Sequence, residues 1–284
     1  HVVGFVDVDI KKASRACFVW GGQAFSKLED AFAVERIDVV SIAVSDEYHY
    51  ATLTEVARFP VRLVFAEKPL TATLVHSEKI LELYKQRSIP GIVNYSRRFV
   101  PDFSRIRQEI RNGCYGEYLT GTGYYGKGIL HNGSHMIDLL RYLLGDIQVG
   151  QVISSMYDYY PNEPSVSAAL ILQGDKTFTI QHVNCRAFTI FEMDLLFERK
   201  RIRMIDGGFV IEEYKVQDNP VFTGYRNMVI KSTHRTAMDQ AMSHAVQNIY
   251  DFLEFGNPCL CSFNDAFYVL QVCLLLSGDD RSEY

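Results

Sequence analysis

The 284-residue chain has a formal net charge of -5, from 29 lysines and arginines against 34 acidic residues, and 48% of it is hydrophobic. That apolar fraction can fill two cores at the usual domain size of about 100 to 200 residues. The acidic balance and the lack of a dense Lys/Arg patch argue against a nucleic-acid partner, and the apolar runs are shorter than the roughly 20 residues of a membrane span.

Six cysteines are scattered along the chain. The single close pair, Cys259 and Cys261, lacks the CxxC spacing and the second pair expected of a zinc site. We therefore interpret the cysteines as reduced thiols of a cytoplasmic protein and predict no metal site. Because the chain opens on an apolar run that is already strand-like, any signal peptide would lie upstream of His1.

Short apolar runs alternate with helical patterns through the first 95 residues. The runs lie at 2–8, 38–44, 61–65 and 91–95, and nearly continuous runs of this kind are typical of parallel strands covered on both faces. The spacing of Ser26 and Glu29 predicts a capping box before a helix over 28–34. The alternation predicts an α/β fold with a doubly wound, Rossmann-type parallel sheet.

The pattern changes beyond residue 95. Helices are predicted over 101–112 and 133–144 on either side of a strand at 117–125. Six strand-like runs follow between residues 149 and 216, and helices over 237–255 and 264–277 come last. This order predicts an α+β domain with a large open antiparallel sheet, so we divide the chain into domains at 1–96 and 97–284.

A lysine follows the predicted strand at 61–65, in the stretch Ala-Glu-Lys-Pro-Leu that begins at Ala66. Lys68 should therefore lie just beyond the carboxyl end of a parallel strand, which is the edge where open α/β sheets bind ligands. Such a lysine is either a catalytic acid or base or an ordinary solvated charge. It can act as a base only where desolvation or neighbouring cations lower its pKa.

The glycine fingerprint of a dinucleotide fold, GxGxxG, is absent from the sequence. Gly4 stands alone, and Gly21 and Gly22 have the wrong spacing. Asp7 nevertheless follows an apolar strand, at the position of the acid that hydrogen-bonds the adenosine ribose. We expect the first strand, glycine loop and helix, about 30 residues, to lie upstream of His1. The alternative is that Asp7 only caps its strand and that the domain binds no nucleotide.

Six short segments stand in order along residues 2–277. They read Val-Asp-Val-Asp at 6–9, Asp-Val-Val-Ser-Ile-Ala at 38–43 with His49 beyond it, Ala-Glu-Lys-Pro-Leu at 66–70, Tyr-Ser-Arg-Arg-Phe-Val-Pro at 95–101, Gly-Glu at 116–117 and Gly-Ser-His-Met-Ile-Asp-Leu-Leu at 133–140. Each segment alone is a weak signal. Their order and spacing together resemble the Gfo/Idh/MocA family of NAD(P)-dependent oxidoreductases.

The resemblance implies a Rossmann domain, here incomplete at its amino terminus, and a carboxyl-terminal substrate domain whose open sheet serves in homodimers or homotetramers. It implies hydride transfer between a nicotinamide and a secondary alcohol of a sugar, nucleotide sugar or cyclitol. The Lys68 ammonium would be catalytic, and His135 would hold or deprotonate the substrate hydroxyl. A carboxylate at Asp7 repels a 2′-phosphate, which predicts NAD, with NADP as the other possibility.

One position departs from the family pattern, because His131 stands where an aspartate is often found, four residues before His135. Histidine titrates near neutrality and suits proton transfer with sugar hydroxyls, so we assign His131 to catalysis and substrate binding. It could instead be a polar residue at the helix start or, with His135, part of a metal site that lacks an obvious third ligand. Asn132 and Tyr95 complete the predicted substrate contacts.

Four further residues are predicted to contact the cofactor besides Asp7 and Lys68. Ser45 and His49 follow the strand at 38–44, where the family's loop contacts the cofactor, although His49 could be purely structural. Glu67 should position Lys68 and the cofactor. Arg98 either reaches the ligand or forms an ion pair that anchors the junction of the two domains.

Two functions from different classes fit these residues. The first is the NAD(P)-dependent dehydrogenase implied by the resemblance. The second is a catalytically inactive member of the family that serves as a nucleotide- or sugar-binding sensor, which the missing glycine loop and His131 favour. Retention of both Lys68 and His135 favours the enzyme, because a sensor has no need of two proton-transfer groups.

Overall fold

Parallel strands and crossover helices build the first 93 residues of the computed structural model, which describes residues 1–278. One compact unit comprises residues 1–72 and 76–93. In chain order the elements are β1 (Gly4–Val6), α1 (Ile10–Trp20), β2 (Gln23–Phe25), α2 (Leu28–Val34), β3 (Val39–Ile42), α3 (His49–Val56), β4 (Leu63–Ala66), α4 (Leu74–Gln86) and β5 (Gly91–Val93).

All the strands of this unit pair in parallel. β1 pairs with β2, and a separate sheet has the order β3-β4-β5. Every residue of the central strand β4 is buried, which explains why the sequence there is continuously apolar rather than alternating. The short strand β2 was not predicted, because three residues between a Gly-Gly pair and Ser26 are too few to show a period.

Helix ends in the structure differ in part from the sequence prediction. Helix α2 begins at Leu28 as expected, but its N-cap is Lys27 and no side chain caps it, so the capping box predicted at Ser26 is wrong. A capping box does precede the last helix, where Ser262 and Asp265 bond reciprocally to each other's backbone N–H groups. The same Ser-x-x-acid spacing therefore caps one helix and not the other, depending on which residue takes the N-cap conformation.

Among the described residues, a second compact unit comprises 73–75 and 94–278. Its elements are α5 (Pro101–Arg111), β6 (Tyr118–Tyr125), α6 (Ser134–Leu144), β7 (Gln148–Met156), β8 (Ser165–Leu172), β9 (Lys176–His182), β10 (Phe191–Phe197), β11 (Lys200–Ile205), β12 (Val210–Asp218), β13 (Arg226–Arg235), α7 (Ala241–Phe255) and α8 (Phe263–Ser277).

One eight-stranded sheet dominates this unit, in the order β13-β12-β11-β10-β6-β9-β8-β7. Strand β6 lies between β9 and β10, parallel to β9 and antiparallel to β10. All other neighbouring strands of this sheet are antiparallel. The large sheet was predicted, but the parallel pair and the strand β13 were not. Helix α6 contacts α5 and α8, and its apolar side chains, including Met136, Ile137 and Leu140, are buried. Within residues 1–278, no helix is both long and apolar enough to cross a membrane.

Candidate functional site

Lys68 lies two residues beyond the end of β4, on a loop that the neighbouring strand holds. The backbone N–H of Glu67 donates to the carbonyl of Ile42, the last residue of β3, at 2.9 Å. The Lys68–Pro69 peptide bond is cis, and the Lys68 side chain is half-buried. The predicted position of the lysine at a strand end therefore matches the backbone, although its catalytic role stays a prediction.

His49 ties this loop to the loop that follows β3. Its ring is fully buried, with Nδ1 at 2.7 Å from the carbonyl oxygen of Pro69 and Nε2 at 3.1 Å from that of Val44. A neutral imidazole donates to only one of these carbonyls, and an imidazolium donates to both. Because both ring nitrogens face the backbone, His49 fixes the residue next to Lys68 and has no edge left for a ligand.

Two other predicted cofactor residues lie on exposed or half-buried backbone turns. Asp7 follows β1, and its Oδ1 accepts the N–H of Asp9 at 2.8 Å. Ser45 is exposed and precedes a short 3₁₀ helix, where its carbonyl accepts the N–H of Tyr48 at 2.9 Å. Ser45 adjoins Val44 and hence the His49 contact, whereas Asp7 follows a strand of the other sheet.

The two predicted histidines of the second unit lie on different kinds of helix. Residues Gly128–Gly133 form a π-helical turn that includes His131, and α6 begins only at Ser134, so it contains His135 alone. Short π-helical segments occur frequently at functional sites. Asn132 is half-buried, and its side-chain amide has no hydrogen bond to any residue in the described range 1–278. That amide is therefore available to a ligand.

Two carboxylates from the segment after β7 hold this turn. Glu163 accepts the backbone N–H of His131 at 2.7 Å. Asp158 is buried and accepts three hydrogen bonds, from the Lys127 N–H at 2.8 Å, the Ser165 hydroxyl at 2.8 Å and the Cys185 N–H at 3.1 Å. Burial opposes ionisation of Asp158, but these donors outweigh it and hold its pKa below the ordinary value.

The approach of Glu163 requires glycine at position 128. A Cβ atom built on Gly128 would lie 2.0 Å from Glu163 Oε1, and the residue has a φ of +83°. Lys127 before it also adopts the left-handed conformation, with φ 70°. A larger residue at position 128 would push Glu163 away from the N–H of His131, so the Lys-Gly pair is part of the geometry of the turn.

Aromatic rings flank both histidines. The Tyr160 hydroxyl lies 3.5 Å from each ring nitrogen of His131, and the two ring centroids are 5.2 Å apart. The ring of Tyr95 meets His135 edge-on at 5.5 Å. Tyr95 is 2% exposed, so it supports His135 from beneath rather than offering a surface of its own. The position of Tyr160 beside His131 was not predicted from the sequence.

Arg98 is buried in an ion pair rather than turned toward solvent. Its Nε donates to both carboxylate oxygens of Asp138, at 2.9 and 3.1 Å, and its Nη1 donates to the carbonyl of Leu260 at 3.0 Å. Burial raises the pKa of Asp138 to about 6, against the opposing charge of Arg98. Arg98 therefore forms an ion pair, as the alternative interpretation expected, but within the second unit, where it anchors α6 to neighbouring elements.

The structure thus brings the predicted residues together in two groups. The first unit places Glu67, Lys68 and His49 around one loop, and the second unit places Tyr95, His131, Asn132 and His135 around the turn before α6. The residues that sequence reasoning missed are Tyr160, Glu163 and Asp158. Across residues 1–278, no cluster of three or more His, Cys, Asp or Glu side chains could hold a metal ion.

Comparisons with known proteins agree with the fold. Residues 1–95 match the model of an oxidoreductase family with an NAD-binding Rossmann fold. Inositol 2-dehydrogenase from Corynebacterium glutamicum is 32% identical over 127 residues, which is 44% of this chain and 37% of that protein. The chain thus matches well under half the length of this relative.

Two solved structures are similar over almost the whole chain. One is the WlbA dehydrogenase from Bordetella pertussis in complex with NADH and UDP-GlcNAcA, with a TM-score of 0.80 and 16% identity over 99% of this chain and 87% of that one. The other is a super-repressor mutant of Gal80p from Saccharomyces cerevisiae, with a TM-score of 0.77 and 14% identity over 100% of this chain and 92% of that one. Identities this low show the fold alone. The family match is confined to residues 1–95, a third of the chain, where the sequence is similar to the NAD-binding Rossmann domain of the Gfo/Idh/MocA oxidoreductase family.

Proposed function

We propose that the protein is an NAD(P)-dependent dehydrogenase that transfers a hydride between a nicotinamide and a secondary alcohol of a sugar, nucleotide sugar or cyclitol. The observation that carries the proposal is the loop at Lys68. A half-buried lysine stands at the end of the fully buried strand β4, and His49 fixes the adjacent Pro69 through a 2.7 Å contact. Such preorganisation is what a proton-transfer group requires.

For Lys68 we propose the role of general acid and base toward the substrate hydroxyl. Oxidation of an alcohol requires a group that removes the hydroxyl proton, and the same group returns it in the reducing direction. The nicotinamide, when bound, supplies the hydride chemistry. The Lys68 side chain is half-buried just beyond the carboxyl end of β4, the edge at which open α/β sheets bind ligands.

For the second unit we propose that His135 and Asn132 bind substrate hydroxyls. Tyr95 supports the His135 ring from beneath, and the Asn132 amide is not used by the described part of the protein. His131 is held by Glu163 at its backbone and by Tyr160 at its ring, so it presents a fixed imidazole next to Asn132. We propose that it binds the substrate and exchanges protons with it in place of the family's usual aspartate.

The residues at the strand ends of the first unit fit a dinucleotide. Asp7 is a half-buried carboxylate whose Oδ1 is already oriented by the Asp9 N–H, so a second oxygen is left for ribose hydroxyls. Ser45 offers an exposed hydroxyl at the start of a 3₁₀ helix. These groups support NAD as the cofactor. The buried, ion-paired Arg98 is not part of this proposal.

The test is an assay of nicotinamide reduction. The protein is incubated with NAD⁺ or NADP⁺ and a panel of inositols, sugars and UDP-sugars, and the absorbance of the reduced cofactor is followed. Turnover of at least one panel member that is abolished in Lys68→Met and retained in Lys79→Met supports the proposal. Lys79 is a suitable control because it is an exposed lysine of α4. Absence of turnover across the panel would count against it.

A second candidate function is that of a ligand sensor without catalysis. His131 in place of the usual aspartate favours it, and the fold similarity to Gal80p is compatible with it. The sensor predicts that sugar or NAD binds with the same affinity to the wild type and to Lys68→Met, with no reduced cofactor formed. The dehydrogenase predicts turnover that depends on Lys68, so the same assay separates the two functions.

We further propose that the protein forms homodimers or homotetramers through the eight-stranded sheet. Strand β7 is exposed along nearly its whole length, including the large apolar residues Val152, Ile153 and Met156. Apolar surface of this kind is typical of an interaction face. Light scattering coupled to size-exclusion chromatography tests this assembly, and Ile153→Asp should shift it toward the monomer.

A further inference from the structure

Two cations, the half-buried Lys127 and the exposed Arg186, lie beside the turn that carries His131. Lys127 immediately precedes that turn, and its Nζ lies 4.7 Å from the ring centroid of Tyr159. Arg186 is exposed, and its Nε donates to the carbonyl of Asp158 at 3.0 Å. Neither cation forms an ion pair with a carboxylate anywhere in the described residues 1–278.

The two cations belong to one local cluster. Asp158 accepts the backbone N–H of Lys127 through its carboxylate and the Arg186 guanidinium through its carbonyl oxygen. Arg186 follows Cys185 directly, and the Cys185 N–H donates to the same Asp158 carboxylate at 3.1 Å. The Lys127 backbone and the Arg186 guanidinium are therefore both held by one buried residue.

The two carboxylates near these cations, Asp158 and Glu163, do not neutralise the positive charge that an incoming ligand meets. Asp158 is 1% exposed and accepts three hydrogen bonds from within the protein. Glu163 is half-buried and is bonded to the N–H of His131. Of the other groups, Lys127 is half-buried, and Arg186 and the ring of Tyr159 are exposed. An incoming anion therefore meets positive charge first, and the negative charge is already hydrogen-bonded inside.

We propose that Lys127 and Arg186 form a subsite for an anionic substituent, a carboxylate or a phosphate, on the sugar or cyclitol ring that His131 and Asn132 bind. The inference rests on the proposed function for the identity of that ring and deepens it by naming a substrate class. The faces of Tyr159 and Tyr160, whose rings meet edge-on at 4.7 Å, line the same cluster and suit contact with a sugar ring. The subsite selects acidic sugars over neutral ones.

Three pyranoses that differ only at C6 test the subsite directly. Glucose is neutral, glucuronate carries a carboxylate and glucose 6-phosphate carries a phosphate. Their dissociation constants are measured by calorimetry with the full chain and NAD⁺. A charged hydrogen bond across the subsite should favour one or both anionic probes over glucose by about tenfold. Comparison of the two anionic arms identifies the carboxylate or the phosphate as the preferred group.

Variants assign that preference to the cluster. Lys127→Met and Arg186→Gln should each remove most of the discrimination, and Lys127→Arg, which keeps the charge, should retain it. Lys215→Met is the matched control, since Lys215 is an exposed lysine on β12 without an ion pair in the described residues. Added salt should weaken the wild-type preference because surface charges are screened. Thermal melts confirm that each variant is folded.

The outcomes separate the subsite from the dehydrogenase proposal. Equal affinities of the wild type for all three sugars, no binding of either anionic probe at millimolar concentration, or equal effects of Lys127→Met and Lys215→Met would overturn the subsite. Binding of an anionic probe through Lys127 without cofactor reduction by any substrate would retain the subsite and count against the dehydrogenase. Turnover of neutral substrates alone, without any preference for anionic probes, would support the dehydrogenase and overturn the subsite.

Discussion

Lys68 and His131 lie in different compact units and are held in place by different kinds of contact. The loop of Lys68 is fixed by residues that follow neighbouring parallel strands, through the backbone of Glu67 and the ring of His49. The turn of His131 is fixed by the chain about 30 residues later, through Glu163, Tyr160 and Asp158. The position of Lys68 is thus set by the parallel sheet, whereas the position of the His131 turn depends on side-chain contacts from residues distant in sequence.

The largest loss of activity is expected in the first unit, at the proposed proton-transfer group. Lys68→Met should lower kcat by about 10²- to 10⁴-fold, the usual contribution of general acid–base catalysis, with little change in stability. Steady-state kinetics and a thermal melt check this prediction. Near wild-type turnover by Lys68→Met would show that the strand-end lysine is not the acid or base.

Removal of the histidine that holds the Lys68 loop should have the next largest effect. His49→Leu leaves the carbonyls of Pro69 and Val44 without their donor, which should cost about 1–3 kcal/mol of stability and lower kcat by roughly 10- to 100-fold through misplacement of the lysine. His49→Gln keeps one donor and should recover part of both losses. A loss of stability with an unchanged kcat would mean that His49 only supports the fold.

Substitution of the residues that hold the His131 turn should mainly lower the stability of the protein. Asp158→Asn replaces an acceptor of three hydrogen bonds by an amide, which should cost about 1–3 kcal/mol. Chemical denaturation at neutral pH measures the loss. Asp175→Asn is the control, because Asp175 is exposed and already left-handed, a conformation that asparagine tolerates.

The same residue sets a pH dependence. Because the pKa of Asp158 is lower in the folded protein than in the unfolded chain, its stabilisation is present above the ordinary carboxyl pKa of about 4 and is lost as the pH falls through the folded value. The wild type should therefore lose stability on acidification more steeply than Asp158→Asn. Parallel acid dependences of the two proteins would contradict this prediction.

The smallest expected effect concerns cofactor choice. Asp7→Ser removes the carboxylate that we propose binds ribose hydroxyls and repels a 2′-phosphate, so the ratio of NADH to NADPH affinity should fall by about tenfold. Fluorescence titration with both reduced cofactors measures the ratio. Asp30→Ser, at an exposed position of α2, should leave the ratio unchanged. An unaltered ratio in Asp7→Ser would assign that carboxylate to capping its own turn.

Local sequence signals predicted the parts of the fold that depend on local pattern. The buried run that became β4 and the helices that became α5 and α6 were placed within about two residues, which is the usual uncertainty of element boundaries. Signals of three or four residues were less reliable. The strand β2 and the capping box at Ser262 were missed. Whether so short a pattern forms a strand or a cap depends on the conformation of the surrounding backbone.

The sequence by itself determined that Lys68 follows a parallel strand, that Asp7 follows another and that His131 and His135 are four residues apart. Strand order, with β6 between β9 and β10, and the π-helical turn before α6 came from the tertiary structure alone. The contacts of Asp158, Glu163 and Tyr160 with that turn also came from the tertiary structure alone. The reason is physical: periodicity records which face of an element is buried, whereas pairings between distant segments leave no periodic trace in the chain.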